Sequence, residues 1–298
     1  MRIAISGASG LIGSALRSSL AQDGHEIIRL VRHEAHGGGE AEWDPERGYV
    51  DEARLAGSDA VVHLAAAPIG PTRWTARRKR LLRDSRIKGT RTLATAVAGM
   101  DHPPKRLISA SAVGFYGDTG TTATTEAASQ GEGFLANLVN EWEEATEPAR
   151  AAGVSVAHSR TGVVVARSGG LLGFLLPLFK AGLGGRVGSG RQYMSWVSLD
   201  DAVGALRFLL DHPDITGPVN VTAPEPTTNA AYTKALGRVL HRPTVTVAPA
   251  PALRLAVGEF ADECVLVSQR VVPERLLAAG YSFRHPDIDS ALSDIMGR

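Results

Sequence analysis

The chain has 298 residues, with 32 Lys and Arg against 31 Asp and Glu and a formal net charge of +1. So even a balance gives no support for a nucleic-acid partner or an anionic membrane surface. Cys264 is the only cysteine, which excludes an internal disulfide and fits a reducing compartment. There is no basic-then-apolar leader and no apolar run of the ~18 residues a membrane helix needs, so the expectation is a cytoplasmic protein acting on a small-molecule substrate. A homodimer is compatible with this composition.

Ile3, Ala4 and Ile5 form an apolar run that stops at Ser6 and predicts a strand. Gly7, Gly10 and Gly13 follow at three-residue spacing, and Leu11, Ile12, Ala15, Leu16, Ser19 and Leu20 have helical spacing up to Gly24. Strand, glycine turn and helix in that order predict a dinucleotide-binding motif. The turn is tight, the backbone must approach a pyrophosphate closely, and the phosphates rest on the free N–H groups and positive dipole end of the helix. The expected contacts are Gly7, Ser9, Gly10, Leu11, Ile12 and Gly13.

A second strand is expected over Glu26–Val31. A ribose-binding carboxylate stands roughly 20 residues beyond such glycines when the cofactor is NAD. Here the strand runs into Arg32 and His33, and Glu34 comes two residues too late. A guanidinium at this point pairs bidentately with a 2′-phosphate and stacks on adenine, so the expected cofactor is NADP(H).

Further apolar runs at Ala60–Leu64, Leu107–Ala110 and Val154–Val165 alternate with helical patterns at Thr75–Val97, Leu135–Ala152, Asp200–Leu210 and Ala230–Leu240. This alternation predicts an α/β fold, a Rossmann-type doubly wound parallel sheet with a smaller C-terminal substrate lobe. The glycine loop, His63-Leu64-Ala65-Ala66 and Ser109-Ala110-Ser111 are then expected along one edge of the sheet. His63, on an apolar strand, reads as structural. The glycine-rich stretch Ser168–Gly190 surrounds an apolar block and reads as a lid. The expected division is residues 1–167 for the nucleotide-binding domain, completed by roughly 195–221, and residues 168–298 for lid and lobe. The basic run Arg77–Arg80 reads as a solvated helix face. No His, Cys, Asp or Glu cluster has metal-ligand spacing.

Gly7-x-x-Gly10-x-x-Gly13, Asp59 through Ala66, Gly89-Thr90, Phe115-Tyr116-Gly117 and Trp196 through Asp201 resemble the extended branch of the short-chain dehydrogenase/reductase superfamily, the nucleotide-sugar epimerase type. A narrower resemblance covers nearly the whole chain. Ser109–Gly117, Gly182–Gly185, Gly188–Gln192, Met194–Trp196 and Gln269–Leu276 are similar to the atypical epimerase-family proteins. That resemblance implies NAD(P)-dependent oxidoreductase or epimerase chemistry.

Ordinary superfamily members use Tyr-x-x-x-Lys, in which lysine lowers the tyrosine from its reference pKa of ~10 so that the phenol can exchange a proton. Four residues beyond Tyr49, Tyr116, Tyr193, Tyr232 and Tyr281 stand Ala53, Gly120, Val197, Leu236 and His285. No lysine lies between Lys105 and Lys180, and the usual tyrosine position falls near Phe134–Leu135. The usual serine position holds Ala112, beside Ser111, and the usual asparagine position holds Arg86.

Tyr116 and Ser111 are therefore the candidate catalytic groups. Leu64, Ala65, Ala66, Arg86, Ser109, Arg160 and Gly162 join Arg32 and the glycine turn as cofactor-side candidates. Glu126, Gln192 and Trp196 are the candidates on the substrate side. Two functions fit this set. One is an NADP(H)-dependent oxidoreductase or epimerase acting on a small polar molecule. The other is an NADPH-binding regulator or sensor that has lost catalysis.

Overall fold

The computed structural model describes residues 1–297. The first half of the chain runs β1 (Arg2–Ser6), α1 (Leu11–Gln22), β2 (Glu26–Val31), β3 (Glu40–Asp44), β4 (Tyr49–Val50), α2 (Glu52–Leu55), β5 (Ala60–His63), α3 (Ala76–Gly99), β6 (Arg106–Ala112), α4 (Phe134–Glu144), α5 (Glu147–Ala151) and β7 (Ser155–Thr161). Next come β8 (Val163–Ala166), α6 (Gly170–Lys180), β9 (Gly185–Val187), β10 (Tyr193–Met194) and β11 (Trp196–Ser198), all outside the main sheet. The chain then returns to it with α7 (Leu199–Asp211) and β12 (Gly217–Val221). It ends with β13 (Thr227–Thr228), α8 (Asn229–Leu240), β14 (Thr246–Ala248), α9 (Ala250–Val257), a π-helical turn at Ala261–Leu266, α10 (Glu274–Ala278) and α11 (Ile288–Met296).

The main sheet has eight strands in the order β12-β7-β6-β5-β1-β2-β3-β4, parallel except for the β3–β4 edge pair. Successive residues of a strand face opposite sides, and this divides the core. Ile3, Ile5, Val62 and Ile108 pack with Leu16 and Leu20 of α1 and Leu206 and Leu209 of α7. Ala4, Ile28, Val61 and Leu107 pack with Leu93 and Val97 of α3. Burial on both faces is why these strands read as continuous apolar runs. The fold is Rossmann-like.

Three elements differ from the sequence expectation. The run Val154–Val165 is two strands, broken at Gly162, where a Cβ would stand 2.5 Å from the Ser195 carbonyl oxygen. β7 stays in the sheet, while β8 turns away to pair with β11. The helix expected over Leu135–Ala152 breaks into α4 and α5, the second starting with Pro148 in its first turn. The chain after residue 168 does not form one separate lobe either: Leu276 of α10, with Tyr281 and Phe283, packs into the same core as α1 and α7. No helix among the described residues is long and apolar enough to cross a membrane.

His63 is buried at the end of β5. Its Nδ1 lies 2.7 Å from the Ser6 hydroxyl, which also accepts the N–H groups of Leu64 at 3.1 Å and Ala65 at 3.3 Å. Burial pushes its pKa down to about 4. In the unfolded chain it takes a proton near 6.5, so the folded state loses stability as pH falls from about 6.5 to about 4 and nothing further below. The loss expected from this residue is about 3 kcal/mol. Denaturant unfolding of His63→Asn across that interval should show a flatter pH slope than the parent; an identical slope contradicts the assignment.

Candidate cofactor cleft and active site

The sequence Ser6-Gly7-Ala8-Ser9-Gly10 carries the chain from β1 into α1. Gly7 has φ +68°, and a Cβ there would meet Ala65 N and Leu64 C at 2.8 Å. At Gly13 a Cβ would stand 2.2 Å from the Gly7 carbonyl oxygen. These positions admit hydrogen only, because the turn, the helix and the β5 end touch. The N-terminus of α1 carries no side-chain cap and no acid in its first turn. By contrast, α3, α7, α8 and α11 are capped by Thr75, Ser198, Thr228 and Asp287. The α1 donors are thus left open to an anion, and the cradle fits the pyrophosphate of a dinucleotide.

Beside the turn lies a cavity of about 250 Å³. Its walls bring together Gly7, Gly10, Leu11, Ile12, Gly13 and Leu64 with Ala110 and Ser111 from β6. Thr161, Val164, Ala202 and Leu206 complete it; these were missed, since small and apolar side chains carry no chemical signal in a sequence. Ser9 is exposed at the turn, and Ala65 and Ala66 continue the β5 end. Ser109 is buried, its hydroxyl 3.4 Å from the Ala110 carbonyl oxygen. Arg32 is exposed at the end of β2 and makes no hydrogen bond or ion pair among the described residues.

Behind Ser111 runs a buried polar chain. Its hydroxyl donates to Glu143 Oε1 at 2.5 Å. Glu143, from α4, takes both Nε and Nη2 of Arg160 at 2.8 Å. Arg160 Nη1 donates to the Tyr116 hydroxyl at 2.9 Å, and Tyr116 donates onward to Asn220 Oδ1 at 2.7 Å. Asn220 N donates to Glu126 Oε1 at 2.9 Å. Each link has one geometry, which holds α4, β7, β12 and the 118–132 loop together.

This network corrects several expectations. Tyr116 is 3% exposed, with both its donor and its acceptor role taken, and burial raises its pKa; it cannot serve as a free proton donor. Arg160 is spent on Glu143 and Tyr116, with its guanidinium 3.5 Å from the Phe115 ring centroid, so it does not reach toward a cofactor. Glu126 is not a loop base facing substrate. Its Oε1 holds the backbone of Asn220 and Arg275, Oε2 is enclosed without a partner, and burial raises its pKa.

The substrate-side residues also move. Trp196 is fully buried, its Nε1 donating to the Glu225 carbonyl at 3.1 Å, in a core with Leu172, Phe179 and Tyr232. Gln192 donates to the Val187 and Val265 carbonyls at 3.1 and 3.3 Å and so ties β9 to the C-terminal segment. Arg86, a cofactor-side candidate, is 6% exposed and bonds the carbonyls of Ala67 and Leu82 at 3.2 and 3.1 Å.

Phe134 and Leu135, where the resemblance puts the tyrosine, begin α4. Their N–H groups both donate to the Glu263 carboxylate, each at 3.0 Å. Their rings and chains join an apolar cluster with Trp74, Leu82 and Phe260. Asp200, His285 and Asp294 meet only in the fold. Arg284 pairs with both carboxylates, at 3.1 and 3.0 Å, which offsets part of their charge.

Residues 3–222 match the NAD dependent epimerase/dehydratase family. The chain belongs to this family. Residues 248–295 match a domain of unknown function, DUF1731, the segment that supplies α9, Glu263 and α10. The chain is 49% identical over 290 residues to an epimerase family protein of Mycobacterium bovis, covering 97% of this chain and 96% of the relative. It is 33% identical over 301 residues to the epimerase family protein YfhF of Bacillus subtilis, covering 99% and 98%. The crystal structure of human epimerase family protein SDR39U1 with NADPH superposes with a TM-score of 0.89 at 31% identity, covering 100% of this chain and 99% of that one. These relatives place the chain in the atypical short-chain dehydrogenase/reductase branch of the family.

Proposed function

We propose that the protein is an NADP(H)-dependent oxidoreductase or epimerase acting on a small polar substrate in a reducing, cytoplasmic compartment. The observation that carries this reading is the meeting of an open glycine turn and Ser111 on one cavity. Bound in the cradle, the dinucleotide would supply or accept a hydride. Gly7, Gly10 and Gly13 would let its pyrophosphate approach the α1 N–H groups. The unpaired Arg32 guanidinium would take the 2′-phosphate. That the human relative is described with NADPH supports the choice.

Ser111 would meet the reacting oxygen. Its proton is directed at Glu143 over 2.5 Å, which leaves the oxygen lone pairs for the cavity. In the oxidising direction a substrate hydroxyl proton passes to Ser111 as the Ser111 proton passes to Glu143, and reduction runs in reverse. Burial pushes the Cys264 thiol up to about 12, which makes it no nucleophile.

Titration of cofactor-free protein tests the assignment. Arg32→Ala should weaken NADPH by about 10- to 100-fold and leave NADH unmoved; equal affinity for both cofactors in the parent would remove Arg32 from the site. Labelled hydride exchange with small carbonyl and hydroxyl compounds tests turnover. A second reading, an NADPH-binding regulator, draws on the sealed Tyr116 and on Glu263 occupying the α4 N-terminus. It is favoured if exchange is absent while another protein binds in a cofactor-dependent way.

A further inference from the structure

We propose that Arg86 and Arg78 form a receptor for an oxyanion of the substrate, a carboxylate or phosphate group, on the loop that leaves β5. The proposal deepens the hydride-transfer reading of this cleft and rests on it.

Among the described residues the buried arginines are Arg86, Arg106 and Arg160. Arg160 uses all of its guanidinium nitrogens on Glu143 and Tyr116. Arg106 uses both terminal nitrogens, on Ser155, Pro213 and Ile215. Arg86 uses Nη1 alone, on the carbonyls of Ala67 and Leu82. Its Nε and Nη2 have no protein partner among the described residues, yet neither is an enclosed orphan, so both reach accessible space. A buried charge in this state is costly unless something completes it.

The second guanidinium makes the imbalance larger. Arg78 Nη2 donates to the carbonyls of Pro68 and Ile69, and its Nε is enclosed without a partner. Among the described residues neither arginine meets a carboxylate, although their helix neighbours do: Lys79 with Glu259, Arg83 with Glu141 and Lys88 with Glu46. Burial and the Arg78 charge together push Arg86 down to about 10. A facing anion would relieve both effects.

Location supplies the ligand class. The two guanidiniums hold the consecutive carbonyls of Ala67, Pro68 and Ile69. That loop continues directly from Leu64, which lines the cofactor cavity. The Trp142 ring centroid lies 5.0 Å from Arg86 Cζ, and the unused Nε and Nη2 form the edge that suits a planar, bidentate acceptor.

The test is calorimetric titration of NADPH-saturated protein with oxalate and, separately, with inorganic phosphate. Saturation keeps Arg32 and the glycine turn filled, so a new anion reports another site. One anion per chain is expected, and the arm that binds tells carboxylate from phosphate. Arg86→Met should weaken it at least tenfold, Arg86→Lys less, and the half-buried Arg78→Gln should weaken it also. NADPH affinity measured in parallel checks each variant's fold; if Arg86→Met loses both ligands, Arg78→Gln decides. No anion binding by the parent, or undiminished binding in the folded variants, overturns the receptor. Arg86-dependent anion binding without any hydride exchange supports the receptor and sinks the enzyme reading. Exchange confined to uncharged substrates, with no anion bound, sinks the receptor alone.

Discussion

Gly13→Ala is expected to abolish NADPH binding and to destabilise the fold by about 3 kcal/mol or more. The added methyl would stand 2.2 Å from the Gly7 carbonyl oxygen, 2.9 Å from its carbon and 3.0 Å from Ala8 Cα. All three are backbone atoms of the turn, so no side chain can swing aside. Relief requires α1 to move off the turn, which carries away the N–H groups meant for the pyrophosphate. Fluorescence titration with NADPH and a thermal melt read the two effects separately. Wild-type affinity in a folded Gly13→Ala protein would mean that the dinucleotide lies elsewhere.

The second large effect concerns the pair behind Ser111. Arg160→Met removes the cation that holds Glu143 from two sides, and the side chains are only 4% and 11% exposed. Breaking such a pair from one end leaves a charge buried without its partner, at a cost of about 3–5 kcal/mol. Replacing both ends, Arg160→Met with Glu143→Leu, should recover part of that loss, because no charge is then stranded. Denaturant unfolding of the single and double variants measures the coupling. A single variant within experimental error of the parent would show that the network carries no structural weight. The double variant also removes the acceptor for the Ser111 proton, so its hydride exchange should fall even where stability returns.

What was legible in the chain follows the range of the interactions concerned. Gly7, Gly10 and Gly13 announce their role because the turn is made by neighbours in sequence. The β1 and β5 runs are equally plain, since burial on both faces leaves only apolar residues along them. Arg32 stands at the offset from the glycines where a 2′-phosphate partner is expected. Glu143 was not found at all: it stands among Glu141 and Glu144, a pattern that reads as a solvated helix face. Asn220 and Glu263 had no local signal either. Tyr116, Glu126 and Arg160 are reactive side-chain types, but their partners lie 104, 94 and 17 residues away. Contact with those partners turns apparent reactive groups into structural ones. Trp196 illustrates the same point with an apolar side chain, since its place in a lid or a core depends on whether β11 pairs with β8.

The sequence by itself determined the Rossmann-like frame and the glycine cradle, which rest on periodicity and on steric limits within a few residues, while its motifs carried the resemblance to the family. Only the tertiary structure decided which polar side chains stay available for chemistry. A buried Tyr, Glu or Arg is silenced or left open by the hydrogen-bond partner it meets, and those partners are set by the packing of α4, β7, β12 and the C-terminal segment. Ser111 lines the cavity with its hydroxyl on Glu143, and Arg86 keeps unspent donors, because of where those elements come together.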